Sequence, residues 1–435
     1  MRKTLLLCLL ICLPLPAQVI PTATELPGDP FYVKKTWLIG GEGNWDSLTV
    51  DPAAQRLYVA HGTRMQVVDL DSGSLLADIQ GFREARAIAL DDTGKFAYVA
   101  DGPARAVKVV DRERLVIDSV IPVNCVPRAI AFEPINKVVF AICGAAVPAD
   151  PPSPVYRSGA SRFVTPQAVH FPDDYRPLQA IGPSQVVVID AEGKSVLATM
   201  RISGDFRFAQ PDGRGQVYVT VGAVERLLVA NGRTLGTILP SRIEVFDASA
   251  IAEEAHRQRG ERSQPAQSTN DPLWTDGATH PVPGGILRLL RLSSSCDEPH
   301  GLAIDANHQR LFVACDGNRL AVLNAQTGEQ IASLRTGPGN ERIGYDPENG
   351  LIFAASGEGD GNLIVIRQST NTDSYAVIQN LPTRERARTL AVDSATGAVY
   401  LVTESYGIDL AKKGGIGALQ STPVQGSFQV LVIGH

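Results

Sequence analysis

The sequence predicts an all-β chain folded as a seven-bladed β-propeller, with four antiparallel strands per blade. Three observations predict it. One phrase recurs seven times at intervals of about 40 residues, further apolar runs follow each copy, and a lone strand precedes the first copy while the last copy lacks one.

The phrase is two or three apolar residues, usually an acid, a short polar turn, then an aromatic inside an apolar run. It reads LTVDPAAQRLYVA at 48–60, IALDDTGKFAYVA at 88–100 and IAFEPINKVVFAI at 130–142. It returns as RFAQPDGRGQVYVT at 207–220, LAIDANHQRLFVA at 302–314, IGYDPENGLIFAA at 343–355 and LAVDSATGAVYLV at 390–402. The aromatics are Tyr58, Tyr98, Phe140, Tyr218, Phe312, Phe353 and Tyr400, spaced 40, 42, 41 and 47 residues apart without an insertion and 78 and 94 with one. Each copy gives two short strands joined by a tight turn such as Asp51-Pro52 or Asp212-Gly213. A third strand follows, for example MQVVDL at 65–70 or RIEVFD at 242–247, and a fourth, such as LLADI at 75–79 or QIASL at 330–334. The last copy stops after FQVLVIG at 428–434, and FYVKKTWLI at 31–39 precedes the first copy with no blade of its own. That segment is expected to supply the missing outer strand and close the ring, covering edges that would otherwise stay open.

At 435 residues, length alone suggests two or three domains. The repeats replace that with one propeller domain over 18–435, behind a secretory signal at 1–17. The signal reading rests on Arg2 and Lys3, the apolar run Leu5–Leu13, Pro14, and a cut after Ala17. No later stretch is apolar over the length a membrane helix needs. The mature chain is therefore expected to be exported to the periplasm or medium, without a membrane span. A 44% hydrophobic content excludes a disordered chain, and a formal charge of −6 argues against a nucleic-acid partner.

The residues at 40–63 (GGEGNWDSLTVDPAAQRLYVAHGT), at 296–318 (CDEPHGLAIDANHQRLFVACDGN), Tyr218-Val219-Thr220, and GSFQVLVIG at 426–434 carry a resemblance. The chain is similar to the YVTN-type seven-bladed propellers, secreted bacterial proteins related to the periplasmic YncE-like group. The likeness covers nearly all of the mature chain. It implies a propeller of the envelope or medium and carries no catalytic motif.

Equivalent positions in a repeat can be compared. Five residues before the acid, where the innermost strand begins, stand Asp46, Arg86, Arg128, Asp205, His300, Glu341 and Arg388. All seven are ionisable, and in a propeller they should ring the mouth of the central channel. Two readings stay open: a mutual ion-pair network that plugs the channel, or a polar ligand or metal site in which His300 titrates near neutral pH.

Cys143 and Cys315 each lie three residues after the aromatic, at the end of the second strand, and Cys125 and Cys296 lie just before the innermost strand. Because these two strands are antiparallel, the pairs Cys125–Cys143 and Cys296–Cys315 are expected as disulfides, in keeping with export. The rival, a four-cysteine metal site, would need two blades that are not neighbours to meet. Insertions at 144–184, 222–241 and 404–425 join second to third strands and so share the mouth face. A fourth, at 248–285, leaves the opposite face with a short helix expected at 250–259.

No nucleophile elbow, P-loop, dinucleotide fingerprint, zinc-protease or haem motif is present, so no cofactor or metal is expected. The reading is a non-enzymatic exported binding or scaffold protein, its partner an envelope protein or a small polar ligand. The alternative is a lactonase-like propeller hydrolase or lyase that sets His300 between Glu341, Asp46 and Asp205.

Overall fold

Every repeat carries apolar side chains on both faces of its strands, so no blade can leave either face to water. The computed structural model describes residues 29–144, 184–202, 204–230, 233–261, 285–296, 298–369, 373–408 and 421–435. The signal reading at 1–17 and most of the insertion at 144–184 fall outside these residues.

Seven four-stranded antiparallel sheets form a propeller ring over Phe31–His435. In blade 1 the strands run Trp45–Asp51, Arg56–His61, Arg64–Asp69 and Leu75–Gln80, from the channel outward. Blades 2 to 6 repeat that order. Blade 7 joins Leu390–Asp393, Ala398–Thr403 and Gln429–Gly434 to the N-terminal strand Tyr32–Leu38, in register from Tyr32↔Gly434 to Leu38↔Gln429. The orphan strand of the sequence thus closes the ring.

The core consists of seven apolar clusters, each shared by two neighbouring blades. The repeat aromatics are buried in them, from Tyr58 at 0% to Tyr400 at 4% exposure. The repeat acids serve the base of the ring, where the first two strands of each blade turn. Asp91 Oδ1 accepts the amides of Lys95 and Phe96, and the Glu133 carboxylate those of Ile135 and Asn136. A carboxylate that ties down its own turn is an Asx-type device, which explains the acid without invoking chemistry. Arg112 adds a buried cation between blades 1 and 2, bridging Asp51 and Asp91.

Two insertions gain structure that sequence spacing did not show. Residues 222–241 contain an antiparallel hairpin, Val224–Ala230 with Arg233–Leu239, and Tyr406–Ile408 pairs with Ser421–Pro423. The helix of the fourth insertion is longer than expected, Ala248–Glu261. Asp247 Oδ1 caps it by accepting the Ala250 amide at 3.0 Å, and Ile251 and Ala252 are buried with residues of blade 3.

Closure rests on a few side chains. Trp37 stacks on Tyr400 with ring centroids 5.9 Å apart, and Gly73 leaves it room, since a Cβ there would fall 2.3 Å from the indole. Phe31 meets Phe353 edge-on at 5.4 Å, while Gln379 accepts its amide and donates to its carbonyl. Trp37→Ala is expected to cost about 3–5 kcal/mol, as for other buried aromatics. Chemical denaturation of the purified protein measures this, and a loss under about 1 kcal/mol would show that closure does not depend on the indole.

Candidate functional site

The innermost strands all start at the mouth, and in blades 1 to 6 they do so with an irregular register. In blades 2, 3 and 6 a single residue is skipped opposite the second strand. Arg86 falls between Ala85↔Asp101 and Ala87↔Ala100, Arg128 between Pro127↔Cys143 and Ala129↔Ile142, and Glu341 between Asn340↔Ser356 and Arg342↔Ala355. In blades 1 and 5 the break takes in Asp46 and His300. Arg388 lies two residues before the last innermost strand, Leu390–Asp393. A bulge re-aims a side chain out of the alternating pattern, which allows a charge at the start of a buried strand.

Blade 4 departs from the sequence alignment. There the skipped residue is Arg207, between Phe206↔Val221 and Phe208↔Thr220, so Arg207 and not Asp205 is the equivalent of Arg128. The cause is a shorter turn: the acid that ties it is Asp212, which accepts the amides of Arg214 and Gln216, and it precedes Tyr218 by six residues where the other blades have seven. Asp205 belongs with Glu84 and Glu298, two residues further out. The ring position therefore holds four arginines, Asp46, Glu341 and His300.

These charges pair with one another. Arg128 reaches Asp205 at 3.3 Å, Arg86 reaches Glu84 at 2.8 Å, and Arg388 reaches Glu341 at 3.2 Å. Arg207 binds both Asp205, at 3.0 Å, and Glu298. His300 Nε2 lies 2.7 Å from Asp316, and its Nδ1 faces the Arg207 guanidinium at 3.4 Å. A guanidinium only donates, so Nδ1 is the acceptor and Nε2–H points at the carboxylate. Arg86, Arg128 and Arg207 each lie along a glycine, Gly102, Gly144 and Gly222, where a Cβ would come within 2.7 to 3.1 Å of the arginine.

Arg342 bridges the channel. From blade 6 it meets Asp46 of blade 1 at 3.1 Å and covers the Phe208 ring of blade 4 at 4.5 Å. Crowding by protein atoms pushes the Asp46 carboxyl above its ordinary range; Arg342 and Arg86 pull it down by less, and Glu341 adds to the rise. Its side chain still keeps 34% of its surface open to the channel. Asp205 and His300 thus share Arg207, while Asp46 is held by Arg342 and Glu341 by Arg388. Among the described residues no three His, Cys, Asp or Glu side chains converge as a metal-binding group.

The loops that lead into this ring are fastened at one repeated position, three residues after the aromatic. In blade 1 His61 faces the Gly43 carbonyl at 3.1 Å, and in blade 2 Asp101 accepts the amides of Arg83 and Glu84. In blades 3 and 5 disulfides join Cys125 to Cys143 and Cys296 to Cys315, with Cα atoms 5.9 and 4.9 Å apart. In blade 7 Thr403 donates to the Glu385 carbonyl at 2.6 Å.

No family model matches the chain, and no curated protein matches it in sequence. Solved structures do match. The chain is similar to the RRP9 WD40 repeats, with a TM-score of 0.56 at 9% identity over 91% of this chain and 96% of that one. It is also similar to U3-55K, with TM-score 0.54, 10% identity and 91% and 97% coverage. A chain of the mitotic checkpoint complex matches at TM-score 0.54 and 12% identity, with 92% and 96% coverage. The chain is a seven-bladed β-propeller with WD40-like structural neighbours. At these identities the likeness is one of fold alone.

Two measurements check the fastening. In the native oxidised protein none of Cys125, Cys143, Cys296 and Cys315 should react as a thiol, and replacing Cys125 and Cys143 together with alanine should cost about 2–4 kcal/mol, as expected for a loop of this length. His61 supplies a pH dependence. Burial lowers its pKa, against the raising effect of Gln66 and the Gly43 carbonyl. A depressed imidazole leaves the unfolded chain holding more protons, so stability falls as pH drops below about 6.5. The melting temperature of His61→Gln should fall less over that range than that of the native protein; an identical pH slope would remove His61 as a cause.

Proposed function

We propose that this chain is an exported, non-enzymatic binding or scaffold propeller that takes its partner on the mouth face, where the partner is an envelope protein or a small polar ligand. The observation that carries the reading is the pairing of the ring: every ring carboxylate already holds a cation, which leaves a fixed polar surface rather than a free acid and base. The hydrolase or lyase alternative draws no support from this arrangement, because His300 is committed to Asp316 and Arg207.

The cations of the ring at the mouth are all arginine: Arg86, Arg128, Arg207 and Arg388. Arginine is enriched in protein interfaces and holds carboxylates with a planar fork. The two disulfides suggest an oxidising compartment. Among the described residues no helix is long and apolar enough to cross a membrane. The repeat phrases support placing the chain with the YVTN-type secreted propellers, and the signal reading at 1–17 supports export.

Photo-crosslinkers placed at Arg128 and Arg388 on the mouth and at Lys95 and Glu113 on the base test the reading in the producing cell. Discrete adducts are expected from the mouth positions alone. Adducts confined to the base would overturn it, as would turnover of a lactone or ester that His300→Ala abolishes.

A further inference from the structure

The mouth ends of blades 4 and 5 share a feature that the rest of the ring lacks. In blade 4, Arg242 of the third strand stands directly opposite Arg291 of the outer strand, Ile286–Arg291. In blade 5, Arg319 stands directly opposite Arg335 of the outer strand, Gln330–Arg335. The two pairs occupy the same register, since Arg242 faces Val221 and Arg319 faces Cys315, both three residues after the blade's aromatic. At that position blade 1 has Arg64 with Gln80 and blade 3 has Gln185 with Arg201. Directly opposed side chains share a face, and like charges so placed repel. Two neighbouring blades therefore carry the same unfavourable pair, where one arginine would have avoided it.

The inner member of each pair has a partner within its own blade. Arg242 binds buried Glu244 at 2.6 Å, and Arg319 donates to the Ser333 hydroxyl at 3.2 Å. The outer members, Arg291 and Arg335, are exposed and form no ion pair among the described residues. The mouth carboxylates Asp205, Glu298 and Asp316 pair instead with Arg128, Arg207 and His300. Beside Arg291, on the same outer strand, Leu287 and Leu289 are 45% and 50% exposed, on alternate residues. This strand is the free edge of its sheet, so its outer amides and carbonyls face away from the blade.

Resting on the binding reading above, we infer that the outer strands of blades 4 and 5 together take an acidic, extended polypeptide segment whose carboxylates neutralise Arg291 on the one and Arg335 on the other and whose apolar side chains cover Leu287 and Leu289. The chemistry selects a polypeptide over a nucleic acid. A strand edge offers main-chain hydrogen bonds that a peptide can complete, and the exposed Leu287 and Leu289 need apolar partners that a phosphate backbone does not supply. Arginine rather than lysine at all four positions suits the two oxygens of a carboxylate.

The test uses the oxidised full chain and a fluorescein-labelled peptide of alternating Glu and Leu, read by anisotropy. Native protein should bind it, with affinity falling as salt is raised. R291Q/R335Q should weaken binding about tenfold or more, with an unchanged melting temperature because both side chains are exposed. K95Q, on the base, should bind as the native protein does. No binding by native protein, or equal binding by R291Q/R335Q, would overturn the inference. A loss confined to R128A/R388A, on the channel mouth, would overturn it too, while leaving the mouth-face reading in place. A single-stranded oligonucleotide of equal charge binding as tightly would overturn the choice of a polypeptide.

Discussion

The fold depends on closure. A blade of this protein has two apolar faces and no layer of its own to cover them, so each of the seven core clusters exists only because the next blade is present. Such an array gains its last interface only when blade 7 meets blade 1, and here the N-terminal strand makes that join. Trp37, Ile39 and Trp45 from the start of the ring share one cluster with Tyr400, Phe428 and Val430 from its end. The termini are thereby placed in one sheet, and opening that sheet would expose the edges of two strands at once.

Closure also decides what stands at the mouth. All seven innermost strands run the same way, so whatever begins one of them is brought toward six others. Four arginines at that position would repel one another if left alone. Glu84, Asp205 and Glu298, placed two residues further out, compensate three of them, and Glu341 compensates the fourth. Exposed pairs of this kind each add little to stability. Their effect is to fix where guanidinium groups lie, as do the glycines beneath Arg86, Arg128 and Arg207. Arg342 works differently, because it lies across the channel and reaches blades 1 and 4 from blade 6.

Much of this was legible in the sequence because a propeller repeats one local pattern. The period, the buried aromatic, the third strands to within a residue or two, and the closing strand all follow from apolar spacing. The acid of each phrase was also visible, though its work is to hold a turn. What escaped was register. A bulge adds one residue to a ladder without changing its apolar pattern, so the sequence marks Arg86 and Arg128 but not the kink that aims them. In blade 4 a turn shorter by one residue hid Asp212 behind Gln210, and that moved the ring position from Arg207 to Asp205. The hairpin at Val224–Ala230 and Arg233–Leu239 did carry a signal, Asn231-Gly232 between apolar runs. The opposed arginine pairs carried none, since cross-strand partners are set by pairing and not by spacing.

The fastening position links these levels. One place in the repeat ties the lead-in loop to the end of the second strand, and the chain fills it with His61, Asp101, Cys143, Cys315 and Thr403. In blade 7 the tie is a neutral hydrogen bond from Thr403, even though the insertion at 404–425 follows it. The covalent ties stand in blades 3 and 5, on either side of blade 4, and three of the four insertions leave the ring from blades 3 and 4. A long insertion is entropically costly to anchor and pulls on the strand ends that carry it. Placing disulfides around that sector keeps its strand ends fixed, and those same strand ends present the opposed arginines of blades 4 and 5. A rigid rim with decorated loops is the arrangement a binding surface needs, because loops can vary only where the scaffold beneath them does not move.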